Sequence, residues 1–262
     1  MISGIFSGIS TYFSAFRFIS KHNLWSKATL SGLISLGVGA VLFMSFGTLG
    51  SYALDRFFAI FCDGWLQTDW GCEAASFLQD SWFSAILSFG ISLVVVLFLF
   101  KYIVSIVLSP FLSTFSEQVE YQINGNKPGE VSFQDSMKDI MRSLRLALRN
   151  VIRELFWILV FNIAGLFIPV VGSILSMVGI FFFQSYFAGF GNLDLILERR
   201  RLNVSQRVRY IRAHKGMSIG NGAPFLLLSL VPVIGWFLAP ILGVTAATLA
   251  FLKDEEKKQR VG

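Results

Sequence analysis

Two long uncharged stretches, each broken near its middle by the same four-residue pattern, limit what this chain can fold into. Pro169-Val170-Val171-Gly172 lies inside the uncharged run Leu155–Leu193, and Pro232-Val233-Ile234-Gly235 inside the uncharged run Gly216–Leu252. Each run is too long for one ordinary membrane helix and too short for two. At about 1.5 Å per residue, Leu155–Ile168 reaches roughly 21 Å, against a hydrocarbon core of about 30 Å. The spacing predicts two helical hairpins that dip into a bilayer and turn back at a Pro-Val-x-Gly tip.

Composition agrees with a lipid environment. Of 262 residues, 54% are hydrophobic and only 15% charged, with mean hydropathy +0.65. Soluble domains carry about 25% charged residues, so the chain reads as an all-α integral membrane protein. Net charge is +6, and the bases lie between the apolar runs rather than within them. Such bases anchor a protein to anionic lipid headgroups and do not point to nucleic acid as a partner. The two cysteines, Cys62 and Cys72, share one hydrophilic loop. They form either a local disulfide or two free thiols, and no accompanying ligand marks a metal site.

The chain divides in order as a single membrane domain. Residues 1–27 form an interfacial helix and a basic aromatic edge, with Ile5, Phe6, Ile9, Phe13 and Phe16 at helical spacing and no base before Arg17. A secretory leader would carry positive charge ahead of its apolar region. Residues 28–54 are the first full span, in which Ser31, Ser35 and Gly39 make a narrow small-residue face suited to close packing. Residues 55–80 are an acidic loop. Residues 81–116 hold the second span and an extension that either continues beyond the bilayer or bends near Pro110, with Lys101 at a depth from which it can snorkel toward the headgroups. Residues 117–154 are a polar helical region with a turn at Asn124-Gly125. The two hairpins occupy 155–193 and 216–252, separated by a basic segment at 194–215, and 253–262 is a charged tail.

In the polar region Arg142, Arg145, Arg149 and Arg153 form one helical stripe. It reads as lining an anion path or as pairing with lipid phosphates on the cytoplasmic leaflet, the second being preferred. Every base-rich segment falls on one side of two spans and two non-crossing hairpins, which places both termini in the cytoplasm.

Enzymatic chemistry finds no support. There is no P-loop, no metal-ligand spacing and no Gly-x-Ser-x-Gly, and neither His22 nor His214 lies in an apolar run. No cofactor is implied. No carboxylate is expected at membrane depth, where coupled carriers keep an ionisable group, which favours a passive permease. Irregular backbone at depth is tolerated where protein buries it or where it lines a wet cavity, so the tips at Pro169, Gly172, Pro232 and Gly235 are candidate pore elements.

Several stretches, in this order, resemble one family. They are Ser109-Pro110-Phe111 followed by Glu117-Gln118-Val119-Glu120, Arg153-Glu154 at the first hairpin, and Asp194 before the basic segment. Gly220-Asn221-Gly222, Val231-Pro232, and Pro240 through Ala246-Ala247-Thr248 complete the set. Together they resemble the CysZ-type sulfate permeases, whose domain is shared with the etoposide-induced 2.4 proteins. The resemblance spans nearly the whole chain. It implies two long transmembrane helices, two half-penetrating (re-entrant) hairpins, and assembly into a homo-oligomer. It also implies passive sulfate uptake across a bacterial inner membrane, linked to sulfur assimilation and cysteine synthesis. The family's sulfate-holding Gly-Leu-Arg segment corresponds here to Asn23-Leu24-Trp25-Ser26-Lys27. Leu24 is retained, Asn replaces Gly, and Lys27 is the nearest base.

The expected substrate site, where sulfate or a similar oxyanion enters, is therefore Lys21, Asn23, Leu24, Trp25 and Lys27. Glu117, Glu120, Arg149 and Arg153 are expected to line or gate the path. The alternative is a non-transporting scaffold whose hairpins shape the membrane.

Overall fold

The computed structural model describes residues 2–64, 73, 77, 82–125, 133–167 and 171–261. Among them the regular elements are helices: α1 (Ile2–Lys21), α2 (Trp25–Gly64), α3 (Trp82–Val107), α4 (Ser109–Asn124), α5 (Phe133–Phe167), α6 (Val171–Arg199), α7 (Val204–Ala213), α8 (Lys215–Ser229) and α9 (Ile234–Val261). Cys72 and Pro169 lie outside the described residues.

Among the described residues, four helices are long and apolar enough to cross a bilayer: α2 over Trp25–Tyr52, α3 over Ala85–Val107, α6 over Ile174–Arg199 and α9 over Ile234–Arg260. Two were expected from the uncharged runs. The difference lies in α6 and α9, which run past the ends of those runs through Asp194 and Asp254. Helix propagation needs no uncharged sequence once a carboxylate has a partner, and Asp194 has Arg207.

The chain falls into two units. Residues 37–100 form one, in which Ser92 Oγ donates to the Phe46 carbonyl at 2.8 Å and the rings of Phe43 and Phe89 meet edge-on at 5.5 Å. Residues 1–36 and 101–262 form the other.

The larger unit is built around α8, and the Gly-Asn-Gly triplet is the reason. A Cβ on Gly222 would stand 1.8 Å from the Ser185 carbonyl oxygen of α6, and one on Gly189 the same distance from the Ser218 carbonyl oxygen. The two helices therefore cross backbone to backbone, as small residues allow. Gly220 makes the corresponding approach to Gly8 of α1. Asn221, fully buried, accepts from Asn192 Nδ2 and donates to the Gly243 carbonyl, at 2.8 and 2.9 Å. The triplet thus holds α1, α6 and α9 against one helix.

In α1 the buried stripe is Thr11, Tyr12, Ala15 and Ile19, while Phe6, Phe13 and Phe16 face outward. The phenylalanine periodicity marks the exposed face and the small residues mark the packed one. A second core, made by Leu146, Phe190, Leu193, Ile196, Val208, Ile211 and Phe251 among others, joins α5, α6, α7 and α9.

Connections follow local chemistry. Pro110 cannot donate an N–H, and the helix is interrupted at Leu108, where α4 begins with proline in its first turn. Gly125 ends α4 in the left-handed conformation, at φ +69°, as its turn sequence predicts. Asn203 caps α7 with Gln206 in a reciprocal capping box. Between α8 and α9, Val233 takes φ +66°. Gly235 is required there, because a Cβ would lie 1.7 Å from the Leu228 carbonyl oxygen.

Candidate functional site

Buried charge is concentrated where α3, α5, α6 and α7 meet. Lys101 of α3 (3% exposed) donates to Glu154 Oε1 of α5 (0% exposed), and the Tyr102 hydroxyl donates to Oε2. Lys101 does not snorkel. Glu154, 53 residues later, gives it a partner in the interior, and a paired charge with further hydrogen bonds is tolerated there. No carboxylate lies within the uncharged runs, but Glu154 and Asp194, which flank the first of them, are buried in the protein interior.

Asp194 of α6 accepts from Arg207 Nη1 of α7 at 3.2 Å, and Glu198 lies 3.4 Å from the same nitrogen. Arg207 is itself 2% exposed. Asp194 Oδ1 is buried without a hydrogen-bond partner among the described residues. Lys101, Tyr102, Ser105, Asn150, Asp194 and Glu198 line one cavity of about 40 Å³, room for a water or two.

Asn150, Phe187 and Phe190 also contribute to a second, larger cavity of about 570 Å³. Its bases are Arg149 and Arg153 of α5, Arg212 of α7 and Lys215 at the start of α8. Its walls are aromatic, with Trp157 stacked on Phe183 at 4.8 Å. Burial, and then the charges of Arg153 and Arg212, lower the pKa of Arg149, while Asp194 opposes the shift.

The expected site residues separate into groups. Glu120 of α4 accepts from both Arg199 and Arg200, and Arg200 continues to Glu255 at 3.0 Å. Burial raises the pKa of Glu117 and Glu120 adds to the shift, with Arg199 opposing. Glu117 and Glu120 thus face the end of α6, whereas Arg149 and Arg153 face α7 and α8.

Lys21, Asn23, Leu24, Trp25 and Lys27 all lie at the α1–α2 corner. Asn23 takes φ +52°, and the N–H groups of Asn23 and Leu24 bond back to the Ser20 and Ile19 carbonyls. This is a Schellman closure, sealed by Leu24 (2% exposed) and Ile19. Asn is the residue other than Gly that best tolerates the left-handed region, so it preserves the backbone that glycine provides. Trp25 is pinned by its Nε1 donation to Ser20 Oγ at 3.1 Å. Of the tips, Gly172 is buried, and Pro232 and Gly235 form the α8–α9 turn.

Sequence reasoning did not bring out Lys101, Tyr102, Glu154, Arg207, Arg212 or Lys215 as site residues. One signal was present. Lys101 and Glu154 each sit at the edge of an apolar run with opposite charge.

Compared with curated proteins, the chain matches none. The family model described as sulfate transporter CysZ/etoposide-induced protein 2.4 matches residues 11–240. With that span covering most of its length, the chain belongs to the sulfate transporter CysZ/etoposide-induced protein 2.4 family.

Proposed function

We propose that the protein is a passive permease for sulfate or a related oxyanion in a bacterial inner membrane, supplying sulfur for cysteine synthesis. The observation that carries this reading is the pair of buried ion pairs, Lys101–Glu154 and Asp194–Arg207. Lys101, Glu154 and Asp194 sit at or beside one small cavity between otherwise apolar helices. Ionisable groups buried among apolar membrane helices mark pathways for polar solutes. Each of these carboxylates is paired with a base, Lys101 or Arg207.

The anion enters at the α1–α2 corner. There the open first turn of α2 offers backbone N–H groups, with Lys21 and Lys27 as the nearby charges. Glu117 and Glu120 with Arg199 form one gate, and Arg149 and Arg153 line the path beyond. The pairs α5–α6 and α8–α9 act as half-penetrating hairpins, and the α8–α9 tip at Pro232–Gly235 meets lipid or a neighbouring copy in a homo-oligomer. The exposure of Leu230, Val231, Val233 and Ile234 supports that placement. Both termini lie in the cytoplasm.

Sulfate flux into proteoliposomes decides the matter. Uptake that saturates, and that falls when Lys27 is neutralised, is the expected result. No flux at any sulfate concentration sinks the proposal in favour of a membrane scaffold.

A further inference from the structure

The larger cavity has the chemistry of a receptor for a particular class of molecule. Among the described residues, four bases and no acid line it. Two nitrogens of Arg149, Nε and one Nη, are buried and have no hydrogen-bond partner among the described residues. A guanidinium presents its N–H groups as a planar fork that fits the oxygens of a phosphate or carboxylate, and leaving buried donors unmet is costly. Arg153 and Arg212 reach the same region from two different helices, since both act electrostatically on Arg149. Asp194, the carboxylate that also acts on Arg149, is taken up by Arg207.

Size and lining exclude a bare inorganic ion as the whole occupant. At about 570 Å³ the cavity falls within the roughly 300–1,000 Å³ typical of organic ligands. Trp157 and Phe182 in its wall are 38% and 44% exposed. The same two helices also carry Phe156, Leu159 and Met177, all more than half exposed. A ligand seated here has its charge at Arg149 and its apolar part along α5 and α6.

We propose that this cavity binds an amphiphilic phosphate, the headgroup of an anionic phospholipid, with an acyl chain laid over the α5–α6 face. The site lies away from the α1–α2 entry corner but shares Arg149 and Arg153 with the path proposed above. Its test reads lipid binding rather than flux, so its failure is distinguishable from a failure of the transport reading.

Native mass spectrometry of the full chain in neutral detergent, titrated with phosphatidylglycerol or phosphatidylcholine, tests it. Phosphatidylglycerol is expected to bind at least tenfold more tightly. That preference is expected to disappear in Arg149→Gln/Arg212→Gln and to persist in Arg209→Gln, an exposed base outside the cavity. Arg153→Gln, an exposed substitution that leaves the interior intact, serves if the double variant does not fold, and is expected to weaken binding severalfold. Equal binding of the two lipids overturns the proposal. So does retention of the preference in the cavity variants, or displacement of the lipid by an equal concentration of inorganic phosphate.

Discussion

The hydroxyl of Ser35 donates to the carbonyl of Trp236 at 2.5 Å, and Pro240 is the reason that carbonyl needs a donor. Within a helix the Trp236 carbonyl would accept from the N–H four residues on, and proline has none. Ser35 comes from the small-residue face of α2 and completes the backbone of α9. In the other direction, Trp236 Nε1 donates to the Ser229 carbonyl at 3.2 Å and closes the α8–α9 turn. Ser35→Ala is expected to lower stability by about 1–3 kcal/mol, the cost of an unmet buried acceptor. In a Pro240→Ala background the restored N–H takes over, and the same substitution should cost about 1 kcal/mol less. Thermal unfolding of the four proteins in detergent measures the coupling, and equal costs in both backgrounds would show the bond to be incidental.

At the α1–α2 corner the left-handed Asn23 predicts a graded series. Asn23→Gly should leave the melting temperature unchanged or slightly raised, because glycine adopts φ +52° freely. Asn23→Val should cost about 1–3 kcal/mol, since a β-branched side chain is strained there. If valine is tolerated as well as glycine, the corner is not held in this conformation.

Much of the fold could be read from residues whose effect is local. The Asn124-Gly125 turn, the break near Pro110 and the turn at Pro232–Gly235 all follow from backbone chemistry within four residues. The Ser31–Ser35 face was legible as a packing surface, though not its partner, because Trp236 lies 201 residues away. Lys101 shows the limit most clearly. A lysine at the end of an apolar helix has the same local sequence whether it snorkels or pairs, and Glu154 decides between them only after folding. In α1 the exposed Phe6, Phe13 and Phe16 suit an interfacial helix, and the packed face opposite them was less legible. In lipid the large apolar side chains can face outward, so periodicity alone does not say which face packs. The basic cavity was half visible, as Arg149 and Arg153 on one helix. Arg212 and Lys215 join it only through the turns around α7.

Glu117 makes a pH prediction. Burial raises its pKa from the ordinary carboxylate value. The unfolded chain therefore loses this proton at lower pH than the folded one. Stability from this group is greatest in acid and declines as pH rises from the unfolded pKa to the folded one, then levels off. Glu117→Gln removes that part of the slope. The difference between wild-type and variant melting temperatures, followed from pH 4 upward, should change in this window and be constant above it. A difference that is flat throughout means that Glu117 titrates normally.

The Lys101–Glu154 pair separates a structural role from a transport role. Glu154→Gln leaves the Lys101 ammonium buried without its carboxylate, and breaking a buried pair on one side costs about 3–5 kcal/mol. Lys101→Met/Glu154→Met removes both charges and fills similar volume, so its stability should return to within about 1 kcal/mol of wild type. Tyr102, which donates to the same carboxylate, needs the companion change Tyr102→Phe so that no hydroxyl is left unmet. If the pair only holds helices together, this apolar triple variant folds and passes sulfate at the normal rate. If it forms part of the polar path, the triple variant folds but its flux falls by at least tenfold, because a dianion then meets an apolar barrier. The second outcome is expected, since Lys101 and Tyr102 line a cavity together with Asp194 and Asn150 instead of being packed away from it. Flux and melting temperature measured on the same reconstituted preparations distinguish the two.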